Sequence, residues 1–162
     1  MSTHAPAWKP QEIPPDSRLA IIAAQFNGRI VDELLAGCER RLAALGISRE
    51  RIETHRVPGA FELPVAAKLL AQSRRFSAII CLGCVIRGET PHFDFVAGEA
   101  ARGIQQVAID EALPVIFGVL TTDTEEQAEA RAGGAHGHAG ERAAEAALEM
   151  IALANRIRSP AK

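Results

Sequence analysis

Residues 87–94, "RGETPHFD", follow the apolar run "FSAIICLGCVI" and gather an arginine, a glutamate, a threonine and a histidine around one proline. An imidazole gains and loses protons near neutral pH, which is what general acid–base work asks of a side chain. His92 is therefore a candidate proton-transfer group, with a helix cap or a packed histidine as the plainer alternative. The peptide N–H groups of Glu89 and Thr90 fall just ahead of an apolar-periodic segment. At a helix start such donors are unpaired and the positive dipole end attracts an anion. The Thr90 hydroxyl adds a donor. The Glu89 carboxylate would repel phosphate, so its part in such a site is played by its N–H; otherwise it is a solvated surface charge.

Three further residues could join this chemistry. Phe26, beside Asn27, ends a run of aliphatics at a point where an aromatic face can stack on a planar ring, or simply pack in the core. Glu62, between "PGAF" and "LP", is either a helix-cap charge or an acceptor for hydroxyls. Arg131 is a phosphate clamp or a helix-end cation. Together these residues suit a planar, hydroxylated molecule and a small phosphorylated one.

Other chemistries find less support. No G-x-G-x-x-G follows the first apolar run, and there is no Walker loop or G-x-S-x-G elbow, which argues against a dinucleotide fold, an NTPase and an α/β-hydrolase. His136 and His138 have H-x-H spacing but no cysteine or carboxylate to complete a metal shell, so no metal site is expected. Cys81 and Cys84 match C-x-x-C inside a strand-like run, where positions i and i+3 point to opposite faces. With Cys38 they are expected to be buried, reduced thiols.

The elements that must position these residues alternate. "LAIIAAQF" reads as a strand covered on both faces. Ile30, Val31, Leu34, Leu35, Cys38, Leu42 and Leu45 then recur at helical spacing, with Gly46 at the C-terminal cap position. "RIETHRV" is a second strand, ended by Pro58 and Gly59. "AFELPVAAKLLAQ" is a helix with Val65, Ala66, Leu69 and Leu70 on one face. "FSAIICLGCVI" is the third strand, followed by a helix traced by Phe95, Val96, Glu99, Ala100, Gly103, Ile104 and Val107. "LPVIFGVLTT" is the fourth strand. Thr122 and Glu125 have capping-box spacing before a short helix. The glycine-rich "AGGAHGHAG" reads as a loop, and the last helix is apolar at Ala144, Leu148, Ile151 and Ile157.

Strands and helices in alternation, without hairpin signals, predict an α/β fold: a three-layer, flavodoxin-like sandwich with a four-stranded parallel sheet and helices on both faces. Ligands of such folds bind beyond the carboxyl ends of the strands, here "FNG", "PGAFE", "RGETPH" and "LTTD". Four of the nine prolines fall within the first fifteen residues, so residues 1–17 are expected to form an extended arm ahead of a single domain at 18–158.

At 162 residues, 48% of them apolar, the chain can bury one substantial core. Lys and Arg number 18 against 20 Asp and Glu, a net charge of -2 without a basic run, which disfavours nucleic acid as a partner. No signal peptide or membrane-spanning stretch is evident, so a cytoplasmic protein acting on small molecules is expected, with no membrane partner.

As an ordered set, "FN", "VPGAFELP", "GCVIRGETPHFDFV", "FGVLTTDTEEQAEARAG" and "AAEAALEM", between about Leu19 and Ile157, closely resemble the lumazine synthases. The resemblance implies condensation of 5-amino-6-(D-ribitylamino)uracil with 3,4-dihydroxy-2-butanone 4-phosphate to 6,7-dimethyl-8-ribityllumazine, a step of riboflavin biosynthesis that releases phosphate and water and uses no metal or redox cofactor. By position in the motifs, it implies His92 as the catalytic base. Phe26 with Asn27 would meet the pyrimidine, Ala60, Phe61 and Glu62 the ribityl chain, and Cys84, Val85 and Ile86 the ring through their backbone. Glu89 and Thr90 would bind phosphate. Phe117 and Arg131 would reach the site from a neighbouring subunit, Arg131 gripping phosphate. The family's building block is a pentamer, with a decamer or capsid as further assemblies and riboflavin synthase as a further partner.

Two positions depart from the family. Many members have "GNKG" where this chain has "GHAG", so Ala139 replaces a lysine, and Ala135 stands where another lysine is common. His136, His138 and Arg142 are the nearby groups that could compensate. A diverged paralogue that binds flavin or lumazine, or builds a shell without catalysis, is the alternative these alanines raise. A flavodoxin-like signalling receiver fits the fold but lacks an acidic cluster after the first strand, where "QFNG" stands.

Overall fold

The protein is described from a computed structural model that covers residues 8–9 and 11–159. Part of the expected arm, residues 1–7 and 10, lies outside the described residues. Within the rest of it, Ile13 packs against the core, and Arg51 donates to the carbonyls of Ser17 at 2.7 Å and Pro14 at 3.1 Å.

Four strands, β1 (Leu19–Ala24), β2 (Ile52–Val57), β3 (Ala78–Ile86) and β4 (Val115–Thr122), form one parallel sheet in the order β2-β1-β3-β4. Leu19 pairs with Ile52 on one side and Ala78 on the other, and Ile79 pairs with Val115. Every residue of β1 is buried, because the sheet is covered on both sides.

Alternate side chains supply two cores. Leu19, Ile21, Ile80, Leu82 and Cys84 face α1 (Gly28–Ala44) and α5 (Ala139–Arg158), where Leu34, Cys38, Leu42, Leu148 and Ile151 meet them. Ala20, Ile22, Ile79 and Cys81 face α2 (Leu63–Gln72) and α3 (His92–Glu111), against Leu63, Ala67, Leu70, Ala100 and Ile104. This is the expected three-layer sandwich. Cys81 and Cys84 lie on opposite faces, and all three cysteines are free and buried. Burial pushes the Cys38 and Cys81 thiols up to about 12, and burial together with Glu125 pushes Cys84 up to about 11. Their conditions are those of inert packing residues.

Several local expectations need correction. The inner face of α2 is Leu63, Ala67, Leu70 and Ala71, whereas Val65 and Leu69 are 59% and 65% exposed. This helix is apolar almost all round, so periodicity does not select a face; the small Ala67 and Ala71 allow the closer approach to the sheet. In α3 the buried residues are Ala97, Ala100, Ile104 and Val107; Phe95 is 67% exposed. Ile157 also faces outward on α5. The short helix α4 (Glu125–Glu129) is capped by Thr124, whose hydroxyl accepts from the Gln127 N–H, while Thr122 is buried and donates to the Thr124 carbonyl. The glycine-rich segment is a small antiparallel hairpin, β5 (Ala132–Gly134) and β6 (Gly137–His138). Its strands are too short to carry an alternating pattern.

Candidate active site

The chain leaves β1 toward β2 on one side and later fills β3 on the other, so the carboxyl ends of β1 and β3 flank the point where strand order reverses. Asn27 closes that point. Its backbone is left-handed (φ 55°, ψ 41°), a conformation an asparagine tolerates better than most side chains, and its Nδ2 donates to the Cys84 carbonyl at 2.9 Å. The N–H of Phe26 donates to the Pro58 carbonyl at 3.0 Å. Exits of β1, β2 and β3 are thereby stitched together, and the Phe26 ring is left 73% exposed at the rim.

A cavity of about 640 Å³ opens here, within the range of small-molecule sites. Its lining brings together Phe26, Asn27, Ala60, Phe61, Glu62, Cys84, Val85, Ile86, Thr90 and His92. Three of the four strand exits named from the sequence thus converge on one space. Pro58, Gly59, Gly88, Phe93, Phe95 and Val96 line it too, and were not singled out as site residues. The alternating aromatics of "PHFDFV" were the available signal, since a helix that buries alanines turns its phenylalanines elsewhere.

Glu62 is a cap, and it also borders the cavity. Its Oε2 accepts from the Gly59 N–H at 2.9 Å and its own N–H donates to the Gly59 carbonyl at 3.3 Å, which ties the turn Ala60–Glu62. Glu89 and Thr90 form the exposed bend just before α3, for which Pro91 is the N-cap and His92 the first residue. Thr90 and His92 reach the lining, whereas Glu89 does not.

Two more candidates stand apart from the cavity. Phe117 lies on the edge strand β4, 42% exposed, and Arg131 follows α4, where its Nη1 donates to the Gln127 carbonyl at 2.8 Å. Neither contributes to the lining within one chain. His138 does not face the cavity either. Its ring lies against Gly37 of α1, at a spot that any side chain at position 37 would fill, and its Nδ1 is buried without a partner. Burial holds the His138 imidazole below its usual range. Arg142 is turned to the His136 carbonyl at 3.4 Å. None of the three groups lines the cavity of its own chain. Among the described residues, no group of three or more His, Cys, Asp or Glu side chains could hold a metal ion.

The exposed Phe26 ring, the end of β3, the bend before α3 and the His92 imidazole surround one space. Comparison with known proteins identifies the family. A sequence model described as 6,7-dimethyl-8-ribityllumazine synthase matches residues 16–155. A protein of that name from Xanthomonas oryzae pv. oryzae is 51% identical over 140 residues, 86% of this chain and 91% of that one. Its counterpart from Coxiella burnetii is 49% identical over 140 residues, 86% and 93% of the two chains, and one from Stenotrophomonas maltophilia 48% over 144 residues, 89% and 93%. A match of this depth across both cores and every strand exit makes the chain a member of the 6,7-dimethyl-8-ribityllumazine synthase family.

Proposed function

We propose that the cavity condenses 5-amino-6-(D-ribitylamino)uracil with 3,4-dihydroxy-2-butanone 4-phosphate, and that His92 moves the protons. The observation that carries this reading is the convergence of Phe26, the 84–86 backbone, Thr90 and His92 on one 640 Å³ space. Phe26 stacks on the pyrimidine, while Asn27 and the backbone of Cys84, Val85 and Ile86 meet the ring. Ala60, Phe61 and Glu62 hold the ribityl hydroxyls. N–H groups of Glu89 and Thr90 bind the phosphate at the head of α3.

An amine of the pyrimidine attacks the ketone, and loss of water gives a Schiff base. Phosphate then leaves by elimination, carrying away its electron pair, and the second amine closes the ring with loss of another water. Each stage needs a proton taken from carbon or nitrogen or delivered to oxygen, the work of an imidazole held beside the phosphate bend. Holding two substrates side by side can lower the barrier by ~7–11 kcal/mol, so positioning supplies much of the rate.

The site is completed by a second copy of the chain, which contributes Phe117 and Arg131. Their position outside this chain's own cavity supports that reading, as do the outward Val65, Leu69 and Phe95. The working assembly is a homo-oligomer with a pentamer as its unit, residues 18–158 forming its domain, and the cytoplasm its compartment. Incubating the purified protein with both substrates and following lumazine fluorescence tests the function. Fluorescence that grows with time supports it, whereas tight pyrimidine binding without turnover would favour the non-catalytic relative that Ala135 and Ala139 raise.

A further inference from the structure

Arg87 is the residue between the β3 exit and the phosphate bend, and it is tied on every side. Its backbone N–H donates to the Thr122 carbonyl at 2.9 Å, carrying the β3–β4 ladder one step past the sheet. Its guanidinium lies 4.1 Å from the centre of the Phe93 ring. Nε donates to Asp123 Oδ1 at 3.0 Å, and Nη2 meets Asp94 Oδ1 at 3.2 Å. Phe93 and Asp94 are the residues that follow His92 in the first turn of α3. Asp123 begins the β4–α4 turn, and its N–H is held by Gln127 Oε1 at 3.0 Å.

We infer that Arg87 is a positioning residue for the reaction: it locks the first turn of α3, and with it His92, against the end of β4. Its planar fork is what the geometry uses. One edge reaches Asp123, another reaches Asp94, and the face covers Phe93, which lines the cavity. A lysine carries the same charge but cannot serve three directions at once. Arg87, Asp94 and Asp123 are all exposed, with side chains 42%, 61% and 69% accessible, and exposed ion pairs add little to stability. The cluster therefore does more for geometry than for the fold. A displacement of about 1 Å in a catalytic group can cost ~10²-fold in rate.

This inference rests on the proposed condensation, and its test separates the two. Arg87→Met should lower kcat by about tenfold or more while the KM for the pyrimidine stays within about twofold, since ring binding does not use the α3 turn. Arg87→Lys should leave kcat depressed, because charge alone does not restore the fork, and it carries the test if the methionine variant does not fold. Amide hydrogen exchange over residues 95–99, whose N–H groups bond to the carbonyls of the first turn, should quicken in either variant, with the remaining helices unchanged. Wild-type kcat in Arg87→Lys, a loss confined to KM, or unaltered exchange at 95–99 would overturn the assignment. If the wild-type protein turns over no substrate, the condensation fails, and the exchange measurement still decides what Arg87 does.

Discussion

His92 and Asn27 illustrate two ways in which a single side chain can matter at this site. His92 stands at the head of α3 in the cavity lining, with solvent on its open side. Replacing it by alanine removes a proton carrier without disturbing the stacking face, so kcat should fall by ~10²–10⁴-fold while pyrimidine binding stays near normal. An unchanged rate in stopped-flow turnover would remove His92 from its role. Asn27 acts through geometry: its amide is committed to the Cys84 carbonyl and its backbone is left-handed. Asn27→Ala loses both features and should cost ~1–3 kcal/mol in denaturant melts. Asn27→Gly keeps the backbone and loses only the hydrogen bond, so it should be the more stable of the two while still binding the pyrimidine more weakly. Calorimetry with the pyrimidine alone measures that difference. Such residues were legible in the sequence because parallel sheets put their ligands at strand exits, and those exits are marked by abrupt changes from aliphatic to polar residues. Phe93 was less legible, since an aromatic in a helix reads first as core.

Elements differ in how far their residue pattern constrains them. Strands β1 and β3 could be read directly, because runs such as "LAIIAA" have no face to misassign when both sides are covered. The inner face of α2 could not, since apolar residues surround it, and the 132–138 hairpin is held by glycine conformations and a single ring more than by pattern. Gly133 and Gly137 have φ of 112° and 78°, and His138 seals the hairpin onto Gly37. Burial lowers the His138 pKa from its usual 6.5, with Arg40 and Arg142 acting in the same direction and Glu141 and Glu33 opposing. The folded state thus prefers the neutral ring. Its contribution to stability is intact above about pH 6.5 and is lost as pH falls through that value toward the folded-state pKa. Melting temperature should therefore drop between about pH 7 and about pH 5.5, with a shallower slope in His138→Asn; equal slopes would show that the ring is not the titrating group. At Gly140, where α5 crosses α1, an added methyl would collide with the Leu34 carbonyl. Gly140→Ala should then destabilise the fold by ~1–3 kcal/mol, seen as a lower urea midpoint.

At the scale of the whole molecule, Phe117 and Arg131 have no place in the cavity of their own chain, which is the strongest argument for a shared site. Subunits carrying His92→Ala and subunits carrying Arg131→Ala should each be nearly inactive alone. Dissociated and reassembled together, they should regain turnover at roughly a quarter of the interfaces by random mixing, because each copy supplies what its neighbour lacks. Absence of recovery in confirmed mixed oligomers would place Arg131 in its own chain's chemistry or in none. In the proposed reaction this cavity links ring formation to phosphate loss. Phosphate release and lumazine formation should therefore be measured together in one reaction, with and without the pyrimidine. The account predicts one phosphate for each lumazine and no catalysed release from the ketone alone; phosphate liberated at the same rate without the pyrimidine, or ligand bound with no product of either kind, would contradict it.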